Sequence, residues 1–336
     1  STFLSAKFRN PISISDRASH YMKRYWGWDM CLSLLAQWPI FRSCNASRAT
    51  TVPKDDRADR MICVEPTGNM FLQQGLCSLL EKRLRSFGID IERQQFLHRD
   101  LVLWSSVSRK DATIDWSSAS DSVSVALIQW LLPPVWFAVI DGVRSTSINL
   151  EGEIIHLPII ASMGNATTFP LETLVFYAVA LALVSDIQHP NSLCVEYTDF
   201  KSVSVFGDDC IVPTSLAVSY MDILGSVGFS PNREKSFFGE QPFRESCGAD
   251  YMLLRNVRPF FLRSPQNLRR SSLEPWLYTI FNLLLKKYIS YFGELKYVYD
   301  KVLWREFFSV FRRERILIKI VPDDYPDDSG LKISEE

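Results

Sequence analysis

The sequence predicts an α+β fold of antiparallel hairpins flanked by helices, and three observations predict it. Ser202 to Pro213 is an apolar, β-branched run interrupted by Gly207-Asp208-Asp209, which reads as two strands joined by a tight turn. Ser147 to Leu157 reads as a smaller hairpin that turns at Glu151-Gly152. Apolar residues at helical spacing over Asn69 to Phe87, with further helices after Phe169 and after Leu216, supply the α component.

In chain order, residues 1–50 mix aromatics with Arg and Lys without clean periodicity, which suits a packing layer. Lys54, Arg57 and Arg60 then recur every three residues just before an apolar strand, Met61 to Val64. They either line a channel for phosphate or are neutralised by Asp55, Asp56 and Asp59 in a solvated loop. The helix from Asn69 stops at Gly88, a residue suited to the C-terminal position. A short strand at Ala112 to Asp115 leads through Ser117, Ser118 and Ser120 into a helix that ends before Pro133-Pro134. Asp121 is either the N-cap of that helix or a group facing a ligand.

The polar loop Ser162-Met163-Gly164-Asn165 with Thr168 opens the next helix, where Pro170 fits the first turn and backbone or hydroxyl groups can face a sugar or phosphate. Lys235 precedes a short strand, and Pro242 to Arg263 reads as a further hairpin. Residues 272–320 read as helical, and the acidic Pro322 to Glu336 as a mobile tail.

Composition narrows the class. With 336 residues, 47% of them hydrophobic, the chain can bury a large core in one domain or two to three subdomains. The net charge of −1 means that any nucleic-acid surface must come from local clustering. Seven scattered cysteines without a C-x-x-C pair favour reduced thiols, and four dispersed histidines show no metal spacing. The run Leu171 to Val184 contains Glu172 and reads as a buried helix too short to cross a bilayer. No secretory signal opens the sequence, so neither secretion nor a membrane is expected.

The chemistry concentrates at Gly207-Asp208-Asp209. Adjacent carboxylates raise each other's pKa, so the pair is either a solvated turn or one side of a cation site. Magnesium suits it, because Mg²⁺ takes hard oxygen ligands and keeps water and phosphate in its shell.

The order of these pieces is that of palm-domain polymerases, and the chain resembles the β subunit of the RNA-dependent RNA polymerase of single-stranded RNA bacteriophages, the levivirus or Qβ-type replicases. The resemblance runs over about residues 50–265 and rests on Ser162-Met163-Gly164-Asn165, Gly207-Asp208-Asp209 and Pro242 to Gly248, together with the motifs at Lys54 to Pro66 and Ala112 to Asp115. It implies a right-hand architecture of fingers, palm and thumb, with an antiparallel-sheet palm flanked by helices. Residues 1–110 would be fingers, 111–240 palm with an inserted fingers segment, 241–321 a palm-thumb hairpin with a helical thumb, and 322–336 a flexible tail.

The implied activity is template-directed RNA synthesis in the cytoplasm of a bacterial host. Asp115, Asp208 and Asp209 resemble the ligands of two Mg²⁺ ions, which Mn²⁺ can replace, and Lys235 a general acid toward pyrophosphate. Lys54, Arg57, Arg60, Asp121, Ser162, Gly164, Asn165 and Thr168 would bind the NTP, with Asp121 and Asn165 reading the ribose. Gly207, Arg244 and Arg263 would touch RNA. Partners implied by the family are template and product RNA, elongation factors Tu and Ts, and ribosomal protein S1. Three features depart from its pattern: Pro170, Phe206 in place of a tyrosine, and a shorter stretch before Lys54, where part of the fingers is expected to be absent. A reverse transcriptase or an inactive RNA-binding remnant are the alternatives.

Overall fold

In the computed structural model the chain opens with β1 (Ile12–Ile14), α1 (Asp16–Tyr25), β2 (Phe41–Ser43), β3 (Ala46–Pro53) and β4 (Asp59–Val64). Next come α2 (Thr67–Ser86), α3 (Ile91–Ser108), β5 (Asp111–Ile114), β6 (Trp116–Ser117), α4 (Ala119–Ser122), α5 (Val125–Leu131) and α6 (Pro134–Val143). They are followed by β7 (Ser147–Leu150), β8 (Glu153–His156), α7 (Thr168–Gln188), β9 (Ser204–Phe206), β10 (Asp209–Pro213) and α8 (Ala217–Ser226). The remaining elements are β11 (Ser230–Pro231), β12 (Phe243–Ser246), β13 (Ala249–Met252), β14 (Arg255–Asn256), α9 (Arg270–Phe292) and α10 (Lys301–Arg313). The structure describes residues 12–25, 41–54, 59–160, 162–188, 203–259, 270–292 and 301–332, which divide into two units between residues 249 and 250.

The first unit is built around a three-stranded antiparallel sheet in the order β5-β10-β9. Its strands are short and β-branched, and Ile114, Val205, Cys210 and Val212 enter one apolar core. Helix α7 covers that core with Leu171, Val175, Phe176, Ala180 and Val184, all buried. Trp116 stacks on Phe176 at 5.3 Å, and Tyr220 of α8 donates to the Phe176 carbonyl at 2.9 Å, so the helices are tied to the sheet by rings and a satisfied hydroxyl. A second sheet has the order β4-β3-β7-β8, in which β3 and β4 pair antiparallel, from Arg48 opposite Val64 to Pro53 opposite Asp59. Helix α2 ends as expected: Gly88 takes φ +90°, its N–H bonds Arg85 O, and Ile89 N–H bonds Leu84 O.

Several expectations change. Pro133-Pro134 ends α5 but also starts α6, because Pro at the first helical position costs no hydrogen bond. The cap of α5 is Ser124, whose Oγ accepts from Leu127 N–H at 3.1 Å, so Asp121 is not an N-cap. Helix α7 is longer than its apolar run: Thr168–Ile187 is long and apolar enough to cross a bilayer, yet 67% of it is buried inside the protein, as in a core helix.

In the second unit, β13 and β14 pair antiparallel, and Leu277, Tyr278, Phe281, Phe311, Ile316 and Leu331 form a core. The acidic segment after Pro322 was expected to be mobile, but through Lys332 it is docked. Leu331 is fully buried, and the Asn282 amide donates to Asp327 O at 2.9 Å and to Gly330 O at 2.7 Å. One apolar anchor and one satisfied amide outweigh the segment's acidity.

Candidate active site

The tip of the β9–β10 hairpin is a two-residue turn, Gly207-Asp208, since Phe206 pairs with Asp209. Gly207 takes φ +62° while Asp208 does not have positive φ, the pattern of a II′ turn. Glycine is required twice over. The positive φ is strained for other residues, and a Cβ here would lie 2.4 Å from the Phe169 ring; the Gly207 N–H also donates to Thr173 Oγ1 at 2.9 Å. Strand β5 runs antiparallel to β10 with Ile114 opposite Cys210, which places the next residue, Asp115, beside the turn.

Asp115 is held from three sides. Asn232 Nδ2 donates to Asp115 Oδ2 at 2.9 Å, Asn232 N–H donates to the Asp115 carbonyl at 2.9 Å, and the Asp115 N–H donates to Ser236 Oγ at 3.2 Å. The same segment carries Lys235. Burial raises the Asp115 pKa, opposed by Asn232, Lys235 and Lys54. Burial and then the Asp115 charge raise that of Asp208, opposed by Arg60 and Lys235. Burial and Asp208 push Asp209 up to about 7. Its Oδ2 accepts from Cys247 N–H at 3.1 Å, which turns it toward the loop after β12. Asp208 and Asp209 both feel the Asp115 charge, and Asp209 alone of the two is committed to a backbone N–H.

The predicted cations converge in part. Lys54, Arg60 and Lys235 all act on the Asp115–Asp208 pair, and Arg60 also opposes the burial that raises Asp121. Arg57 and Arg263 lie outside the described residues. The loop of residues 162–168 docks on β4: Cys63 N–H donates to Met163 O at 2.8 Å, and a Cβ on Gly164 (φ +109°) would sit 2.3 Å from the Cys63 carbonyl oxygen. Thr168 Oγ1 donates to Ser162 O at 2.8 Å, and Asn165 Oδ1 accepts from both Thr167 N–H and Thr167 Oγ1. These groups shape the loop, and the Asn165 acceptor is not open to a sugar.

Two expectations about RNA contact are corrected. Arg244 is fully buried, and its guanidinium donates to the carbonyls of Asp111, Gln241, Phe243 and Gly239, so it buckles β12 onto β5. Gly207 is buried under Phe169 and offers no surface. Sequence reasoning missed Glu172, which is 6% exposed and pushed up to about 8 by burial and by the charges of Asp208 and Asp121. A lone acid inside the apolar run Leu171 to Val184 was the available signal. It also missed Asn232.

Among the described residues no group of three or more His, Cys, Asp or Glu side chains forms a ready metal cage. Carboxylates with depleted solvation whose charges act on one another nevertheless fit Mg²⁺, which is commonly held by one or two carboxylates together with water and phosphate oxygens. Chemically, these residues offer carboxylates for cations and three nearby cationic side chains for a polyphosphate.

Residues 3–284 match the model of the family "RNA replicase, beta-chain", and the chain belongs to that family. It is 41% identical over 221 residues to the RNA-directed RNA polymerase subunit beta of Enterobacteria phage SP, covering 66% of this chain and 36% of that one. The identity is 40% over 219 residues with the subunit of Escherichia virus Qbeta (65% and 35%) and 36% over 225 residues with the beta chain of Escherichia phage MS2 (67% and 39%). The chain thus spans somewhat over a third of the length of these relatives. Among solved structures, the BmCPV RNA-dependent RNA polymerase at elongation state aligns over 80% of this chain and 26% of its own with a TM-score of 0.43 and 14% identity.

Proposed function

We propose that the chain is the catalytic part of a template-directed RNA polymerase of an RNA bacteriophage, acting in the cytoplasm of the bacterial host. The observation that carries the reading is the approach of Asp115, at the end of β5, to Asp208, at the β9–β10 turn, with Lys54, Arg60 and Lys235 around them. Within a fingers-palm-thumb arrangement, the β5-β10-β9 sheet would be the floor of the palm and the second unit would contain the thumb.

Asp115 and Asp208 would hold the divalent cations, Mg²⁺ or Mn²⁺, with Asp209 orienting the hairpin. Two such ions supply a lowered pKa at the primer 3′-hydroxyl and charge neutralisation at the triphosphate. The residues do the rest. Lys54 and Arg60 grip the triphosphate and align it for in-line attack, which converts binding into proximity. Asn232 fixes the Asp115 carboxylate so that no reorientation is needed as charge develops. Lys235, whose charge acts on both Asp115 and Asp208, would give a proton to the departing pyrophosphate. Asp121 of α4 would face the sugar. The relatives are called β subunits, which supports assembly with other chains; elongation factors Tu and Ts and ribosomal protein S1 are the partners proposed.

The test is incorporation of labelled ribonucleotides on a defined RNA, with and without bacterial extract. Mg²⁺- and template-dependent product from the wild type, lost in Asp208→Asn, supports the reading. Equal behaviour of wild type and Asp208→Asn contradicts it.

A further inference from the structure

Helix α3 turns two buried polar side chains, one helical turn apart, toward the hairpin that carries Asp208 and Asp209. Gln94 Nε2 donates to Ser204 Oγ of β9 at 2.5 Å. His98 is fully buried, its Nδ1 lies 2.8 Å from Ser246 Oγ of β12, and its ring meets that of Phe206 edge-on at 6.3 Å between centroids. Phe206 is the residue paired with Asp209 across the turn, and Cys247, next after Ser246, gives its N–H to Asp209 Oδ2 at 3.1 Å. His98 thus touches one neighbour of Asp209 directly and reaches the other through a single hydroxyl.

The hydrogens on this path have one arrangement. Ser246 O–H donates to Cys247 Sγ at 3.8 Å, so its oxygen accepts from His98 Nδ1–H. Burial lowers the His98 pKa to about 3 and keeps the ring neutral, and a proton on Nδ1 leaves Nε2 a bare acceptor. That nitrogen is buried without a partner among the described residues. A side chain kept for packing alone would gain from being apolar, since an apolar group of similar size orphans no nitrogen. Cys247 has a need that the Nδ1 bond meets. It stands at φ +50°, a left-handed conformation that a non-glycine residue holds only when its surroundings impose it. Relaxation of that angle would swing the N–H away from Asp209.

We propose that His98 is a positioning residue: its Nδ1–H fixes Ser246, and through it the left-handed Cys247 whose N–H orients the Asp209 carboxylate. The proposal rests on the polymerase reading above.

The test uses the full-length β chain in its assembled replicase, as the wild type, His98→Leu, His98→Asn, Ser246→Ala and the His98→Leu/Ser246→Ala double variant. One readout is hydrogen exchange at the Cys247 amide, followed by fragmentation mass spectrometry without substrate or metal; the other is kcat and KM for nucleotide incorporation on one template. His98→Leu removes the donor and Ser246→Ala the acceptor. Each is expected to speed exchange at Cys247 about tenfold, with the amides of α7 unchanged, and to lower kcat about tenfold with KM for the NTP within about twofold. The double variant is expected to be no worse than either, since both changes remove one bond. His98→Asn, whose amide N–H can take the place of Nδ1–H, is expected to return both readouts to within about threefold of the wild type. Unchanged exchange at Cys247 in His98→Leu, equal loosening of α7, additive losses in the double variant, or a kcat loss that His98→Asn does not recover each overturn the proposal. No incorporation by the wild type overturns the polymerase reading, whereas exchange, read without substrate, tests the link from His98 to Asp209 by itself.

Discussion

Asn232 binds Asp115 twice, through its side-chain amide to Oδ2 at 2.9 Å and through its backbone N–H to the carbonyl at 2.9 Å. A carboxylate held from behind in this way is aimed before any ligand arrives. Groups that orient metal-binding side chains commonly cost 10- to 100-fold when removed. Asn232→Ala is therefore expected to weaken Mn²⁺ binding by about that factor, measured by titration, while thermal unfolding shifts by only about 1 kcal/mol for one lost hydrogen bond.

The Gly207 turn admits no side chain. Gly207→Ala places a Cβ against Phe169 and forces a non-glycine residue into φ +62°. The expected cost is about 1–3 kcal/mol of stability with loss of activity. Phe169→Ala in the same chain relieves the clash but not the φ, so only part of the stability should return in denaturant unfolding. Gly164→Ala is expected to be worse, because its obstacle is the Cys63 carbonyl oxygen, which has no rotamer to change.

The buried acids give stability a definite slope with pH in the absence of divalent cations. Asp209 has a native pKa of about 7, above its unfolded value, so the native state binds more protons between the two. Stability falls as pH rises from about 4 to about 7, and Glu172 extends the fall toward about 8. Asp209→Asn should flatten the lower part of that slope in urea unfolding at a series of pH values. Cations compete with the same protons, so added Mg²⁺ should raise Tm more at pH 8 than at pH 6.

Much of this was legible in the sequence. The Gly-Asp turn, the strand ending at Asp115 and the loop of residues 162–168 lie in local patterns of hydrophobicity and turn chemistry, and each folds where it was read. What escaped depends on contacts between distant segments. Arg244 reads as a basic residue near RNA, and only the meeting of β12 with β5 shows that its donors are used by backbone carbonyls. Asn232 and Glu172 gain their meaning from Asp115 and Asp208, more than a hundred and about thirty-six residues away in the chain respectively. Asn165 was assigned to the sugar from its motif, but a local Asx turn to Thr167 claims its oxygen.

The pairing of Asp115 with Asp208 as one cation site is tested most directly by Mn²⁺ binding in the presence of a nucleoside triphosphate, followed by electron paramagnetic resonance. Asp115→Ala and Asp208→Ala should each weaken binding at least about tenfold, and the double variant should be little worse than either, because groups that act as a unit are not additive. Unchanged binding in both single variants, or independent additive losses in the double variant, would contradict it.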